Sequence, residues 1–176
     1  MMFLRGALAF LFVLGFLAAG NLTAFAKTAT VDIKGTQEGS KISGKVVLTE
    51  IPEGLKVNAE VQNVTPGKHG FHIHEKGVCA DGGKAAGGHY NPDGAPHGLL
   101  IKDGFTHAHA GDLGNIEVGA DGTGKLSETV PSLSLSTGKY DVAGKSIILH
   151  EKEDDFGQPT GNAGGRVGCG VIEVKE

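Results

Sequence analysis

Gly70-Phe71-His72-Ile73-His74-Glu75 alternates side chains of opposite character, and that alternation decides how the chain folds. On an extended strand successive side chains leave opposite faces. Phe71 and Ile73 therefore face a core, while His72 and His74 project together from the other side and offer one metal ion two nitrogen ligands. Outward from this segment, short alternating apolar stretches recur at residues 30–34, 41–48, 55–64, 115–118, 125–130, 146–151 and 170–174, which with 70–75 make eight strands. Pro52-Glu53-Gly54, Thr65-Pro66-Gly67 and Ala120-Asp121-Gly122-Thr123-Gly124 supply turns between them, the last reading as a hairpin loop. The pattern predicts an all-β chain folded as an eight-stranded antiparallel sandwich or barrel.

Two long Gly-rich segments interrupt that rhythm, residues 76–114 and 152–168. Loops of this length are functional or disordered, and seven of the eight histidines lie in or just before the first, with His150 just before the second. Both are read as functional loops. At the N-terminus Arg5 precedes an apolar run over residues 6–19, and Ala24 and Ala26 flank Phe25. That is a secretory signal peptide, residues 1–26, too short in its apolar part to span a membrane. Cleavage near Ala26 releases one domain, residues 27–176, to the periplasm or the medium, with no membrane attachment. Five of the eight Phe fall in the signal, so Val, Ile and Leu must build the core, which favours strands. A net charge of −4 and the absence of a basic run argue against nucleic acid as a partner. The two cysteines, Cys79 and Cys169, enter an oxidising compartment and are expected to pair as a structural disulfide.

His72 and His74 do not stand alone. His89, His97 and His109 are followed by Asp112, and His150 ends a separate strand. Three imidazoles with one carboxylate suit zinc, while three or four imidazoles with an open position suit copper. The count of ligands supports two metals that share one. Coordination would also supply the free energy to order a loop so rich in glycine.

Taken with Gly88-His89-Tyr90-Asn91-Pro92, His109-Ala110-Gly111-Asp112-Leu113-Gly114-Asn115 and Gly161-Asn162-Ala163-Gly164-Gly165-Arg166-Val167-Gly168-Cys169-Gly170, the histidine strand resembles the copper/zinc superoxide dismutases, in their exported bacterial form. The resemblance implies an eight-stranded antiparallel Greek-key sandwich or barrel with two long functional loops. It also implies copper on His72, His74, His89 and His150, and zinc on His89, His97, His109 and Asp112, with His89 as bridge. Asp154 would hydrogen-bond His72 and His97 and orient both rings. Arg166 would draw in and orient the small anion superoxide, its loop tethered through Cys79 and Cys169. The implied reaction dismutates superoxide to molecular oxygen and hydrogen peroxide, His89 carrying a proton. Lys76, Lys84 and Lys102 are further basic candidates for guiding the substrate. His69 and His107 match no ligand position and are read as structural and solvated. The alternative is a nonenzymatic copper-binding or copper-delivery protein on the same fold. A homodimer is compatible with the chain, although no apolar stretch marks its surface.

Overall fold

The computed structural model describes residues 26–175, so the expected signal peptide lies outside the described residues except for Ala26. Nine strands follow in order: β1 (Thr28–Gly35), β2 (Ser43–Ile51), β3 (Gly54–Gln62), β4 (Gly67–His74), β5 (Asp112–Val118), β6 (Gly124–Val130), β7 (Ser146–His150), β8 (Arg166–Val171) and β9 (Glu173–Lys175). Their spatial order is β2-β3-β6-β5-β4-β7-β8-β1-β9, and an additional β1–β2 pairing closes the first eight into a barrel. All these pairs run antiparallel. Two connections jump across the sheet, and the closed ring leaves no edge among those eight strands. The only helices among the described residues are a 3-10 turn at Lys84–Ala86 and the single turn α1 (Leu100–Asp103). No described helix is long and apolar enough to cross a membrane.

Alternation fills the barrel. On β3 Leu55, Val57, Ala59 and Val61 are buried while Lys56, Glu60 and Gln62 are exposed. The interior is built from Val, Ile and Leu around Phe71, with Val31, Ile33, Leu48, Ile116, Ile147 and Leu149 almost wholly removed from solvent. Each such side chain contributes about 1.5–3 kcal/mol. Phe71 and Ile73 join this core, as the alternation predicts. His72 and His74 on the opposite face are equally buried, because the two long loops fold over them.

Most strand boundaries shift by one to three residues from the sequence reading, among them the start of β4 at Gly67 and the end of β2 at Ile51, and those around the loops bear on the site. β5 begins at Asp112 rather than 115, and β8 begins at Arg166, so the loops run over residues 75–111 and 151–165. The expected last strand divides at Ile172, which turns into the core and donates its N–H to the Lys145 carbonyl at 2.8 Å before β9 resumes.

Candidate metal centre

The site sits outside the barrel wall, where β4 changes partners. The first half of β4 pairs with β5 and the second half with β7, with an irregularity between Gly70 and His72. His72 consequently lies opposite both Asp112 of β5 and Ile148 of β7. A second irregularity between Leu149 and His150 re-aims the end of β7. The first loop then returns to β4. Tyr90 N–H donates to the Ile73 carbonyl at 2.9 Å and Glu75 N–H to the Gly88 carbonyl at 3.0 Å, which sets His89 against His74. Gly111 closes the same crossing: a Cβ there would lie 2.1 Å from the Ile73 carbonyl oxygen. Glycine is required by contact with backbone, not by composition.

Two donor clusters result. One ligand atom from each of His72, His74, His89 and His150 lies within 4.8 Å of the others, and the same holds for His89, His97, His109 and Asp112. His89 belongs to both, and every member is buried. The hydrogen-bond network selects which nitrogen faces which cluster. His74 donates Nδ1–H to the Gly87 carbonyl at 3.0 Å, and its Nε2 lies 3.4 Å from His150 Nε2. His72 gives Nε2–H to Asp154 at 2.8 Å, leaving Nδ1 buried without a hydrogen-bond partner. His89 turns Nδ1 toward Asp112, so Nε2 is the atom left for the first cluster.

These donor sets fit metal ions. Nδ1 of His89, His97 and His109 lie 2.8, 2.9 and 3.1 Å from Asp112 carboxylate oxygens, and the His89 and His109 Nδ1 atoms are 3.4 Å apart. A tetrahedron with bonds of ~2.0 Å has an edge of about 3.3 Å. His97 Nδ1, although close to Asp112, makes no hydrogen bond in line with it. Nδ1 of His72, His97 and His150 is buried without a hydrogen-bond partner, as a ring nitrogen kept for a cation would be.

Burial governs the charges. It holds the His74, His89 and His150 rings down, to about 2, 4 and 3, with neighbouring imidazoles adding to the effect at all three. Those rings stand neutral and ready to ligate near pH 7. Burial also opposes charge on His97, but the adjoining Asp112 and Asp154 carboxylates outweigh it and raise that ring to about 9. For Asp112 and Asp154 burial pushes upward, and hydrogen bonds from the surrounding histidines more than offset it, leaving both well below the usual carboxylate range.

Asp154 lies between the His72 and His97 rings. It accepts from His72 Nε2–H at 2.8 Å and from His97 Nε2–H at 2.9 Å, joining a member of each cluster. Arg166 lies over the first loop and donates to the Gly83 and Gly87 carbonyls at 2.7 and 2.6 Å. The Gly87 carbonyl also takes the His74 proton, so the guanidinium is tied through one oxygen to a cluster member. Cys79 and Cys169 form a disulfide that fastens this loop to β8. Of the basic candidates, Lys84 lines a surface cavity together with Arg166, Glu151 and Asp81, whereas Lys76 and Lys102 do not. His107 is exposed and bonded to Thr106, while His69 is buried with its ring nitrogens 2.9 Å from the His150 carbonyl and 2.8 Å from the Thr65 carbonyl.

Two amides in the site were not anticipated. Asn115 brackets Asp154, donating to its carbonyl at 2.9 Å and accepting its N–H at 2.8 Å. Gln158 brackets His97 in the same manner. Neither residue type carries a spacing signal, so only the folded geometry could reveal them.

A closed Greek-key barrel bearing two imidazole clusters that share one ring defines a two-metal β-barrel protein. The family model described as copper/zinc superoxide dismutase matches residues 42–172. The chain is 42% identical over 144 residues to the extracellular Cu-Zn superoxide dismutase of Caenorhabditis elegans, covering 78% of this chain and 63% of that protein. It is 41% identical over 149 residues to the extracellular Cu-Zn superoxide dismutase of Drosophila melanogaster, covering 78% and 79%. Among solved structures, the crystal structure of the clock protein EA4 superposes with a TM-score of 0.76 at 32% identity, over 86% of this chain and 97% of that one. The chain belongs to the copper/zinc superoxide dismutase family.

Proposed function

We propose that this chain is an exported superoxide dismutase that takes two superoxide anions and two protons to molecular oxygen and hydrogen peroxide. The observation that carries the reading is the pair of donor clusters sharing His89, with Arg166 bound to the carbonyl that fixes His74. His72, His74, His89 and His150 would hold copper, and His89, His97, His109 and Asp112 would hold zinc. Bound copper supplies one-electron exchange with superoxide, and bound zinc, without redox chemistry of its own, fixes the shared ring.

The protein's own residues account for the rest. Arg166 offers a fixed positive charge to a small anion on a chain of net charge −4, and raises its local concentration above what the global field allows. Its anchoring to Gly83 and Gly87 keeps the charge aimed without reorganisation. His89 keeps Nδ1 toward Asp112, so Nε2 is the atom that holds a proton and passes it to the reduced product. Asp154 holds the His72 and His97 rings in one tautomer through both half-reactions.

The bacterial exported type, the periplasm or external medium as location, and a domain of residues 27–176 following a cleaved signal belong to the same proposal. Export and location are supported by the N-terminal pattern and by the extracellular relatives, which are animal proteins; the bacterial type rests on the sequence motifs alone. A homodimer is left to sedimentation of the metal-loaded protein. The decisive experiment is dismutation activity of the exported protein reconstituted with copper and zinc, read beside metal content. Activity with one of each metal per chain supports the proposal; stoichiometric copper without activity would make the chain a copper carrier. Arg166→Ala should retain both metals and lose about tenfold or more in rate at low salt, with a weakened dependence on ionic strength. An unchanged rate across ionic strengths would remove Arg166 from the mechanism.

A further inference from the structure

Residues 156–158 make two contacts with His97 that lie outside the donor clusters. His97 N–H donates to Gln158 Oε1 at 3.0 Å, and Gln158 Nε2–H donates back to the His97 carbonyl at 2.8 Å. The Phe156 ring lies parallel to the His97 ring, with centroids 6.5 Å apart and planes 20° from coplanar. Phe156 adopts φ 60°, a left-handed conformation costly for a bulky aromatic. It is held there by its N–H donating to Asp154 Oδ1 at 2.8 Å. Yet 41% of its surface stays in water, so burial of the ring does not explain the strain. The strained turn does place the ring against His97.

We infer that Phe156 and Gln158 are positioning residues for the zinc-side arm, a latch by which the second loop sets His97 and slows loss of the metal held there. The inference rests on the reading of His97 as a zinc ligand. His97 needs such a latch because it belongs to a loop segment rather than a strand. Asp154 fixes only the far edge of its ring, at Nε2. Gln158 fixes the backbone on which the ring pivots, and Phe156 limits its swing. The copper-side donors His72, His74 and His150 lie on β4 and β7, within the barrel's own hydrogen-bond ladder, and need no equivalent.

The two residues are separable from general stability. Glycine at position 156 would relieve the left-handed strain while deleting the ring, so a merely structural Phe156 and a positioning Phe156 predict different results. We expect Phe156→Gly to leave the metal-free protein as heat-stable as the parent or more so, and yet to release zinc roughly tenfold faster to a competing chelator. Phe156→Tyr, which keeps the ring, should restore the parent rate within about twofold. Gln158→Met keeps the side-chain volume without either hydrogen bond, and should also release zinc roughly tenfold faster. Cobalt(II) placed in the zinc site should show altered visible bands in both deficient variants, with copper affinity unchanged in each. Zinc release and cobalt spectra at parent values in both variants would overturn the latch. A parent protein that takes up no zinc, and whose cobalt bands do not depend on His97, would instead overturn the zinc reading on which the latch rests.

Discussion

Glu128 stands on β6 directly opposite Val57 of β3, between Leu126 and Val130 on the same face, where its strand turns toward the barrel interior. One of its carboxylate oxygens, Oε1, is buried and has no hydrogen-bond partner. Burial raises its pKa from 4.5 to about 7. The sign of the effect on stability follows from linkage. Below pH 4.5 the acid is neutral in folded and unfolded chains alike. Between 4.5 and 7 the unfolded chain ionises first, so stability falls as pH rises; above 7 the whole penalty is in place. Glu128→Leu should therefore stabilise by on the order of 2–3 kcal/mol at pH 8 and by much less at pH 5, in urea unfolding of the metal-free protein. Equal gains at the two pH values would mean that packing, not charge, is what the substitution changes. At this scale the clustered histidines were legible as candidates because metal ligation restricts residue type, whereas Arg166 was singled out only through the family resemblance. Glu128, Asn115 and Gln158 were not, since a single acid or amide is read as a solvated surface residue until its neighbours are known.

The elements were legible where alternation is clean. β3 carries apolar residues on one face and mostly polar ones on the other; β2 and β6 alternate too, broken by Val47 on the outer face and Glu128 on the inner, and the sequence reading placed all three. It misplaced the starts of β5 and β8, because Asp112, Gly114, Arg166 and Gly168 have poor strand propensity and pair only through the ladder that surrounds them. The irregularities in β4 and β7 fall at the candidate ligands His72 and His150, which pattern alone would treat as ordinary strand positions. The loops depend on glycine in a more demanding way. At Gly161, φ is 76° and a Cβ would sit 1.9 Å from Asp154 Oδ1 and 2.6 Å from His97 Nε2. Gly161→Ala should push Asp154 off His97, weakening zinc binding by about 10- to 100-fold, and should cost about 1–3 kcal/mol in backbone strain. Isothermal titration of zinc and thermal unfolding check the two effects separately. If zinc affinity is preserved, the loop can move aside, and the contact is not what holds Asp154 in place.

At the scale of the whole molecule, the all-β class and the two functional loops were legible from the spacing of strands and histidines. The manner of closure was not. Pairing of β3 with β6, of β4 with β7 and of β8 with β1 depends on contacts between distant segments that no local pattern encodes. The disulfide connects these levels. Cys79 begins the segment whose Gly83 and Gly87 carbonyls hold Arg166, and Cys169 lies in β8, three residues beyond Arg166. The barrel's hydrogen-bond ladders do not contain Cys79, so the bond should constrain the first loop more than the core. With its cysteines 90 positions apart in sequence, it stabilises by about 4–5 kcal/mol on a chain-entropy estimate. The double variant Cys79→Ser with Cys169→Ser should still form the barrel, because its core lies elsewhere. It should lose up to that amount in urea unfolding, and its local effects should be uneven. Amide exchange should accelerate at residues 80–88 and at Arg166, and stay slow at Phe71, Ile116 and Ile147. Uniform acceleration through the barrel would mean that the disulfide supports the fold as a whole. Unchanged exchange at residues 80–88 would mean that Arg166 is held by its hydrogen bonds to Gly83 and Gly87 without the covalent tether.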